Sequence, residues 1–316
     1  MKTLLVCSVG GHLTQLHRLA ARFEGLEDER VWVTYDTPQS RSLLGDEQAH
    51  YLQYAGPRDL RRLAHHALRA RELLAGDHGF SQAISTGSGI ALSFLPLARA
   101  RGARCHYIES FTRSAGPSLT GRLLSHVPGI ALYSQYPDWA TGRWRYGGSV
   151  FDEFRASWEP RREGTVRRAV VTLGTMRDYS FRRLVEAAHE LLANVEVLWQ
   201  VGATNVDGLG IDAHEELPAS ELRDAIVAAD VVIAHAGCGS ALSALDAGKL
   251  PVLVPRLATA GENVDEHQPL LAHELARREL ALVRAPDQLT LGDLELAAAG
   301  RVLRDHAPSP FALRPA

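Results

Sequence analysis

Sulfur is scarce in this chain. Its 316 residues carry three cysteines, Cys7, Cys105 and Cys238, far apart and within or beside apolar runs, a setting of buried free thiols rather than of a disulfide framework or a zinc site. That usage fits a reducing cytoplasm. Long apolar runs are lacking too: none approaches the roughly 20 residues of a membrane helix. The N-terminal run Met1 to Val9 meets Gly10-Gly11 too soon for a secretion signal. Membrane contact is therefore expected to be peripheral, with a place on the inner membrane face left open. Nor does one charge dominate, since 34 Lys and Arg against 37 Asp and Glu give a formal net charge of -3. No global field recommends a nucleic acid as partner.

What is present is alternation. Short apolar runs recur between helical segments: Leu4 to Val9, Val31 to Tyr35, Gln82 to Ser85, Arg104 to Ile108 and Ile130 to Tyr133, then Ala169 to Leu173, Val195 to Val201, Val231 to Ala234, Val252 to Val254 and Ala281 to Val283. Runs apolar throughout, rather than at every second residue, predict parallel sheets covered by helices on both faces. The length exceeds what one core usually serves, so two doubly wound domains are expected. The polar stretch Ser157 to Thr165, with Pro160 and Gly164, is the expected linker, giving domains 1–157 and 158–316. The tail from Ala307 is expected to be irregular.

Ligands of open α/β folds bind at the carboxyl ends of strands, and several such ends here are made of small or polar residues. After the first run come Gly10, Gly11 and His12. The glycines permit close backbone approach. A helix N-terminus disfavours the charged form of His12, leaving an imidazole able to take a proton. A capping loop with an incidental histidine is the alternative. Glu109, Ser110 and Arg113 follow the fourth run: the carboxylate could fix an acceptor hydroxyl or orient His12, and Arg113 could meet an anion, or the two could be a surface pair. Gly174 and Thr175 follow the sixth run and offer an N–H and a hydroxyl to a phosphate.

His235, Ala236, Gly237, Cys238, Gly239 and Ser240 open a helix directly after Val231 to Ala234, which sets bare N–H groups and a positive helix terminus before an anion. Arg256, Glu262, His267 and Gln268 form a donor- and acceptor-rich stretch suited to sugar hydroxyls, while acidic residues at a solvated helix start explain Asp265 and Glu266 equally well. Arg58 to Arg71 reads as a basic helix whose stripe Leu60, Leu63, Ala64, Ala67 and Leu68 faces the core or, alternatively, an anionic bilayer.

Metal and dinucleotide motifs are missing. His214-Glu215 and His273-Glu274 do not extend to H-E-x-x-H, His65-His66 has no ligand at helical spacing, and no Asp-x-Asp is present. No metal and no cofactor is expected. G-x-G-x-x-G is absent, although Gly10-Gly11 and Asp36 keep a nicotinamide oxidoreductase as a distant alternative.

In order along the chain, Gly10-Gly11-His12, Tyr107-Ile108-Glu109-Ser110, Tyr146-Gly147-Gly148, Val171 to Thr175, His235 to Ser240 and Gly261 to Gln268 resemble glycosyltransferase family 28. The first half is similar to the acceptor subunit, and the second to the donor subunit, of the two-part dolichyl-diphosphate N-acetylglucosamine transferase and of bacterial exopolysaccharide transferase pairs. The resemblance implies an α/β GT-B fold of two Rossmann-like doubly wound domains with an interdomain cleft. It implies a UDP-sugar donor, such as UDP-N-acetylglucosamine or another UDP-hexose, on the C-terminal domain, and a glycan, lipid-linked or small-molecule acceptor on the N-terminal one. His12 becomes the general base, with Glu109 as second catalytic candidate; Gly10, Gly11, Ser110 and Arg113 meet the acceptor. Gly174, Thr175 and Gly237 to Ser240 cradle the diphosphate, and Glu262, His267 and Gln268 contact sugar and nucleotide. Where peptidoglycan-type relatives place a ribose-binding glutamate, this chain has Ser243 and, later, Asp246.

The expected reaction is an inverting, metal-independent glycosyl transfer. A UDP-sugar epimerase of the same fold and a non-catalytic nucleotide-binding subunit are the alternatives. The identity of the sugar, the acceptor and the oligomeric state are not encoded in these spacings.

Overall fold

A computed structural model describes residues 1–27, 29–56, 59–76, 79–158, 166–174, 179–263 and 267–314. Thr175 and Asp265, and with them part of two expected ligand loops, lie outside the described residues. The chain divides into two compact units, Met1–Asp152 with Pro308–Ala316, and Glu153–Ala307. The division falls five residues before the boundary expected at 157/158, and the tail joins the first unit.

In the first unit β1 (Lys2–Cys7), β2 (Glu29–Tyr35), β3 (Ala49–Leu52), β4 (Phe80–Gly87), β5 (Arg104–Ile108), β6 (Ile130–Ser134) and β7 (Trp144–Tyr146) form one sheet in the order β3-β2-β1-β4-β5-β6-β7. Every pairing is parallel. Helices α1 (Gly11–Ala20), α2 (Pro38–Leu44), α3 (Leu60–Gly76), α4 (Ile90–Ala100) and α5 (Leu119–Leu124) supply crossovers. The strand order reverses between β1 and β4, and a crevice at the carboxyl ends of those two strands is the natural ligand position. The core on one face runs from Leu4, Val6, Val31 and Val33 to Ile90, Phe94 and Leu95, apolar throughout as double-sided burial requires.

A short antiparallel pair, β8 (Phe154–Trp158) with β15 (Gly300–Arg304), belongs to the second unit. So Ser157 and Trp158, expected in a linker, are strand residues; the rest of that stretch lies outside the described residues. The second sheet repeats the plan of the first: β9 (Arg168–Thr172), β10 (Glu196–Gln200), β11 (Ala213–His214), β12 (Val231–Ala234), β13 (Val252–Leu253) and β14 (Leu282–Val283) run parallel in the order β11-β10-β9-β12-β13-β14. Helices α6 (Arg182–Leu191), α7 (Ala219–Ala228), α8 (Cys238–Asp246), α9 (His267–Arg277) and α10 (Leu291–Ala299) accompany it. Here the order reverses between β9 and β12.

The expected irregularity of the tail holds, and one other sequence expectation is revised. The tail forms no regular element beyond a single bridge, yet it is anchored: Phe311 is buried against Phe23 and Tyr133, and Arg22 donates to the Ser309 carbonyl. The apolar stripe read along α3 does not face the core as one. His66, Ala70 and Leu74 are its buried residues, whereas Leu60 is 75% and Leu68 58% exposed. The buried face is turned away from that stripe and shares Leu63 with it; it includes a histidine that hydropathy does not mark. Among the described residues no helix is long and apolar enough to cross a membrane.

Candidate functional site

At the first switch point, α1 starts immediately after β1 without a side-chain cap; Gln39 Oε1 accepts from the Gly10 N–H at 2.9 Å and ties down the glycine turn. His12 therefore sits in the first helical turn, half-buried, with Nδ1 2.7 Å from the Thr86 carbonyl at the end of β4. A carbonyl only accepts, so Nδ1 carries the proton and Nε2 presents a lone pair. Burial pushes the His12 pKa below the usual 6.5, outweighing the Thr86 hydrogen bond, and the Arg113 cation adds to the shift. The ring is neutral and Nε2 can accept a proton.

Space for that ring comes from Gly87. At φ +112° it adopts a backbone conformation side chains rarely take, and a Cβ there would stand 3.2 Å from both His12 Cε1 and Tyr107 Oη. Ser88 follows with φ +66°, an uncommon left-handed conformation for a non-glycine residue. His12 and Ser88 line a cavity of about 790 Å3 together with Ser8, Glu109, Ser110 and Arg113. Its rim is apolar: Tyr54, Leu60, Leu119 and Leu123 line it and are exposed.

Glu109 stands in this cavity wall with its carboxylate engaged. Oε1 accepts from Tyr107 Oη at 3.1 Å and the Ser110 N–H at 3.2 Å; Oε2 accepts from the Ser118 N–H and hydroxyl, both at 2.9 Å. Burial raises its pKa while these donors, Ser118 first, oppose the rise. The group is an acceptor that anchors the start of α5. Ser110 Oγ accepts from Gln15 Nε2 at 3.1 Å, and exposed Arg113 reaches the cavity through its side chain.

Gln15 was not singled out by sequence, because one polar residue on an amphipathic helix has no signature. Buried, it donates to the Gly11 carbonyl (3.0 Å) and Ser110 Oγ, and accepts from the Phe111 N–H (3.0 Å) and Gln135 Nε2 (2.9 Å). Gln135 Nε2 also donates to the Glu109 carbonyl at 3.1 Å, and its Oε1 accepts from the Val150 N–H at 2.9 Å. Two buried amides with their donors satisfied lock the His12 helix against the loop after β5. Thr86, Gly87 and Ser88 were missed too, although the small-residue run Thr86-Gly87-Ser88-Gly89 after an apolar strand is the signal that flagged the other strand ends.

At the second switch point, His235 follows β12 and Gly174 follows β9. The His235 ring is buried between two glycines: a Cβ at Gly174 would stand 2.7 Å from Cε1, and one at Gly237 would overlap Nε2. Its Nδ1 lies 3.4 Å from the Thr172 carbonyl. Burial first and the Arg256 cation second bring its pKa down to about 4. Ala236 is buried, Gly237 precedes α8 with no side-chain cap, and Cys238, Gly239 and Ser240 form the first turn, with half-buried Ser243 one turn on and exposed Asp246 at the helix end. Uncapped first-turn N–H groups are the donors an anion needs.

The remaining predicted residues pack behind this edge. Glu262 is held bidentate by Arg183, 2.8 and 2.9 Å, and accepts from the Leu257 N–H. Gln268 is buried and accepts from the Arg256 N–H at 3.0 Å. His267 begins α9, close enough for its charge to be felt at His235. Arg256 is fully buried and thus holds backbone rather than ligand. Among the described residues no group of three or more His, Cys, Asp or Glu could hold a metal ion. Asp36, the residue that could have marked a dinucleotide site, is paired with Arg41 at 2.7 and 2.9 Å.

Residues 168–300 match the glycosyltransferase family 28 C-terminal domain. No curated protein sequence matches the chain. Its fold is that of MurG from Acinetobacter baumannii, 18% identical over 93% of this chain and 89% of that one with a TM-score of 0.57. The spinosyn rhamnosyltransferase SpnG complexed with thymidine diphosphate is similar too, at 18% identity, 95% and 94% coverage and a TM-score of 0.54. UDP-GlcNAc 2-epimerase from Methanocaldococcus jannaschii shares the architecture at 11% identity, 99% and 96% coverage and a TM-score of 0.61. Two Rossmann-like α/β units in the GT-B class is the fold these likenesses share with the chain.

Proposed function

We propose that this chain, whose residues 168–300 match the glycosyltransferase family 28 C-terminal domain, moves a sugar from a nucleoside-diphosphate donor, a UDP-hexose or UDP-N-acetylhexosamine, to an acceptor hydroxyl with inversion. The observation that carries the reading is the His12 tautomer: Nδ1–H is committed to the Thr86 carbonyl, and the basic Nε2 belongs to a ring that lines a cavity of about 790 Å3. There Nε2 takes the proton of the acceptor hydroxyl as its oxygen bonds to the anomeric carbon from the face opposite the leaving group. The bond from that carbon to the diphosphate oxygen breaks, and the diphosphate leaves with the electron pair.

Backbone N–H groups at Gly174 and the start of α8 stabilise that leaving charge, the arrangement most effective where donors are already oriented. No metal takes part in this scheme, and unchanged turnover in a chelator tests that part. A solved neighbour of the same fold holds thymidine diphosphate, which supports a nucleoside-diphosphate ligand. The exposed Leu60, Leu119 and Leu123 at the cavity rim favour, among the three acceptor classes, one linked to lipid, met at the membrane surface on the cytoplasmic side.

His12→Ala tests the proposal. Turnover of nucleotide sugar with acceptor should fall by about 10²–10⁴, with nucleoside-diphosphate affinity unchanged. Unaltered turnover in the variant rejects His12 as base. Interconversion of UDP-sugars by the wild type with no acceptor present identifies an epimerase instead.

A further inference from the structure

One buried charge in the second unit makes no ion pair among the described residues. Arg256 follows β13 and is 0% exposed, yet among the described residues its guanidinium meets no carboxylate. One terminal nitrogen donates to the Tyr179 carbonyl and the other to the Leu173 carbonyl, each at 3.1 Å. The Phe181 ring lies 5.6 Å from Cζ, and Nε has no partner among the described residues. The acid whose field it feels, Glu262, is spent on Arg183. A desolvated cation without an ion pair is expensive to fold around, so its presence asks for an anion that arrives later.

The two carbonyls say where. Leu173 and Tyr179 stand on either side of residues 174–178, so one guanidinium ties together the carbonyls before and after that stretch. In a trans peptide the N–H points opposite to the C=O. With the Leu173 carbonyl turned toward Arg256, the Gly174 N–H points away from it, and that N–H has no partner among the described residues. Gly174 and Gly237 pack on the same His235 ring, and that ring registers the Arg256 charge.

We propose that Arg256 is a positioning residue and the built-in countercharge for a diphosphate: it aims the Gly174 N–H at the anion and supplies, from within the protein, the positive charge that the anion answers. This rests on the reading of the β9/β12 edge as the nucleoside-diphosphate site. Arg256 never touches the ligand; its cation acts across the Leu173–Gly174 peptide. A nucleoside that lacks phosphates gains nothing from it.

Binding of UDP and of uridine to the wild type, Arg256→Gln and Arg256→Lys, by calorimetry with thermal unfolding alongside, tests this. Arg256→Gln, which keeps a donor and loses the charge, should weaken UDP by about ten- to a hundredfold while uridine changes by less than about threefold. Arg256→Lys, which keeps the charge, should retain most of the preference for UDP. UDP bound by Arg256→Gln as by wild type, or UDP and uridine weakened equally in a folded variant, overturns the inference. If neither variant folds, inorganic pyrophosphate alone decides with the wild type: it should raise the melting temperature and compete with UDP, and the lack of both effects is equally fatal. A wild type that binds UDP no better than uridine also overturns the inference; one that binds neither sinks the proposed function itself.

Discussion

The two sheets are close copies in strand order, 3-2-1-4-5-6 with one strand added in the first, and each places a neutral histidine at its switch point. The histidines are used differently. His12 spends Nδ1 on Thr86 at 2.7 Å and lies beside a cavity with polar floor and apolar rim. His235 makes a looser 3.4 Å contact with Thr172 and is wedged between Gly174 and Gly237. The first ring is positioned to react, and the second to fill space and shape backbone. On the proposed reading, one topology yields a proton acceptor in one unit and an anion cradle in the other, because the residues after the strands differ while the strands do not.

Exchanging which unit is damaged is the most forceful way to break this comparison. Gly87→Ala pushes a methyl against the His12 ring and Tyr107 at a positive φ. Turnover should fall by about 10²–10³, as for a misplaced catalytic group, with UDP affinity intact. Gly237→Ala overlaps His235 and should do the opposite, costing UDP affinity first. If both glycines cost the same parameter, the division of labour is wrong.

A second effect separates the units by pH. His235, with its pKa brought down to about 4, is neutral when folded, while the unfolded histidine protonates near 6.5. The unfolded chain binds the extra proton, so its contribution is full above pH 6.5 and is lost as pH falls toward 4, about 3 kcal/mol in all. His106 in the first unit, with Nδ1 on Tyr133 Oη and its pKa also at about 4, carries the same liability. Urea unfolding across that window should show His235→Gln flattening the acid loss of the second unit alone. Equal flattening of both units contradicts the assignment.

The smallest expected effect concerns the amide lock. Gln15→Leu strands the Phe111 N–H and one Gln135 donor, and should cost about 2 kcal/mol of stability. Turnover should fall as α1 loosens against the loop after β5, without change in UDP affinity. Melting curves and steady-state kinetics of the same preparation check both halves.

Much of this arrangement can be read from the chain itself. Apolar runs ending in Gly10-Gly11-His12 and in His235 to Ser240 show both a buried parallel strand and a small-residue turn, and both fall at switch points. Short or polar edge strands such as β3, β7, β11 and the pair β8 and β15 do not show, because few of their residues are buried on two faces. The small-residue run at Thr86 and Gly87 marks a strand end, but their role depends on His12, 74 positions away from Thr86, and sequence spacing carries no trace of that contact. Arg256 reads as a loop arginine in a stretch suited to sugar hydroxyls, and only its burial shows that it holds carbonyls instead. The α3 helix shows the reverse error, where a regular apolar spacing suggested a core face and Leu60 and Leu68 turned out exposed.

A crystal structure with UDP bound tests the division between the units most directly. The account predicts the diphosphate against the backbone of Gly174 and Gly237 and the first turn of α8, with His12 Nε2 still free of nucleotide. Diphosphate found instead on Gly10, Gly11 and His12 contradicts it.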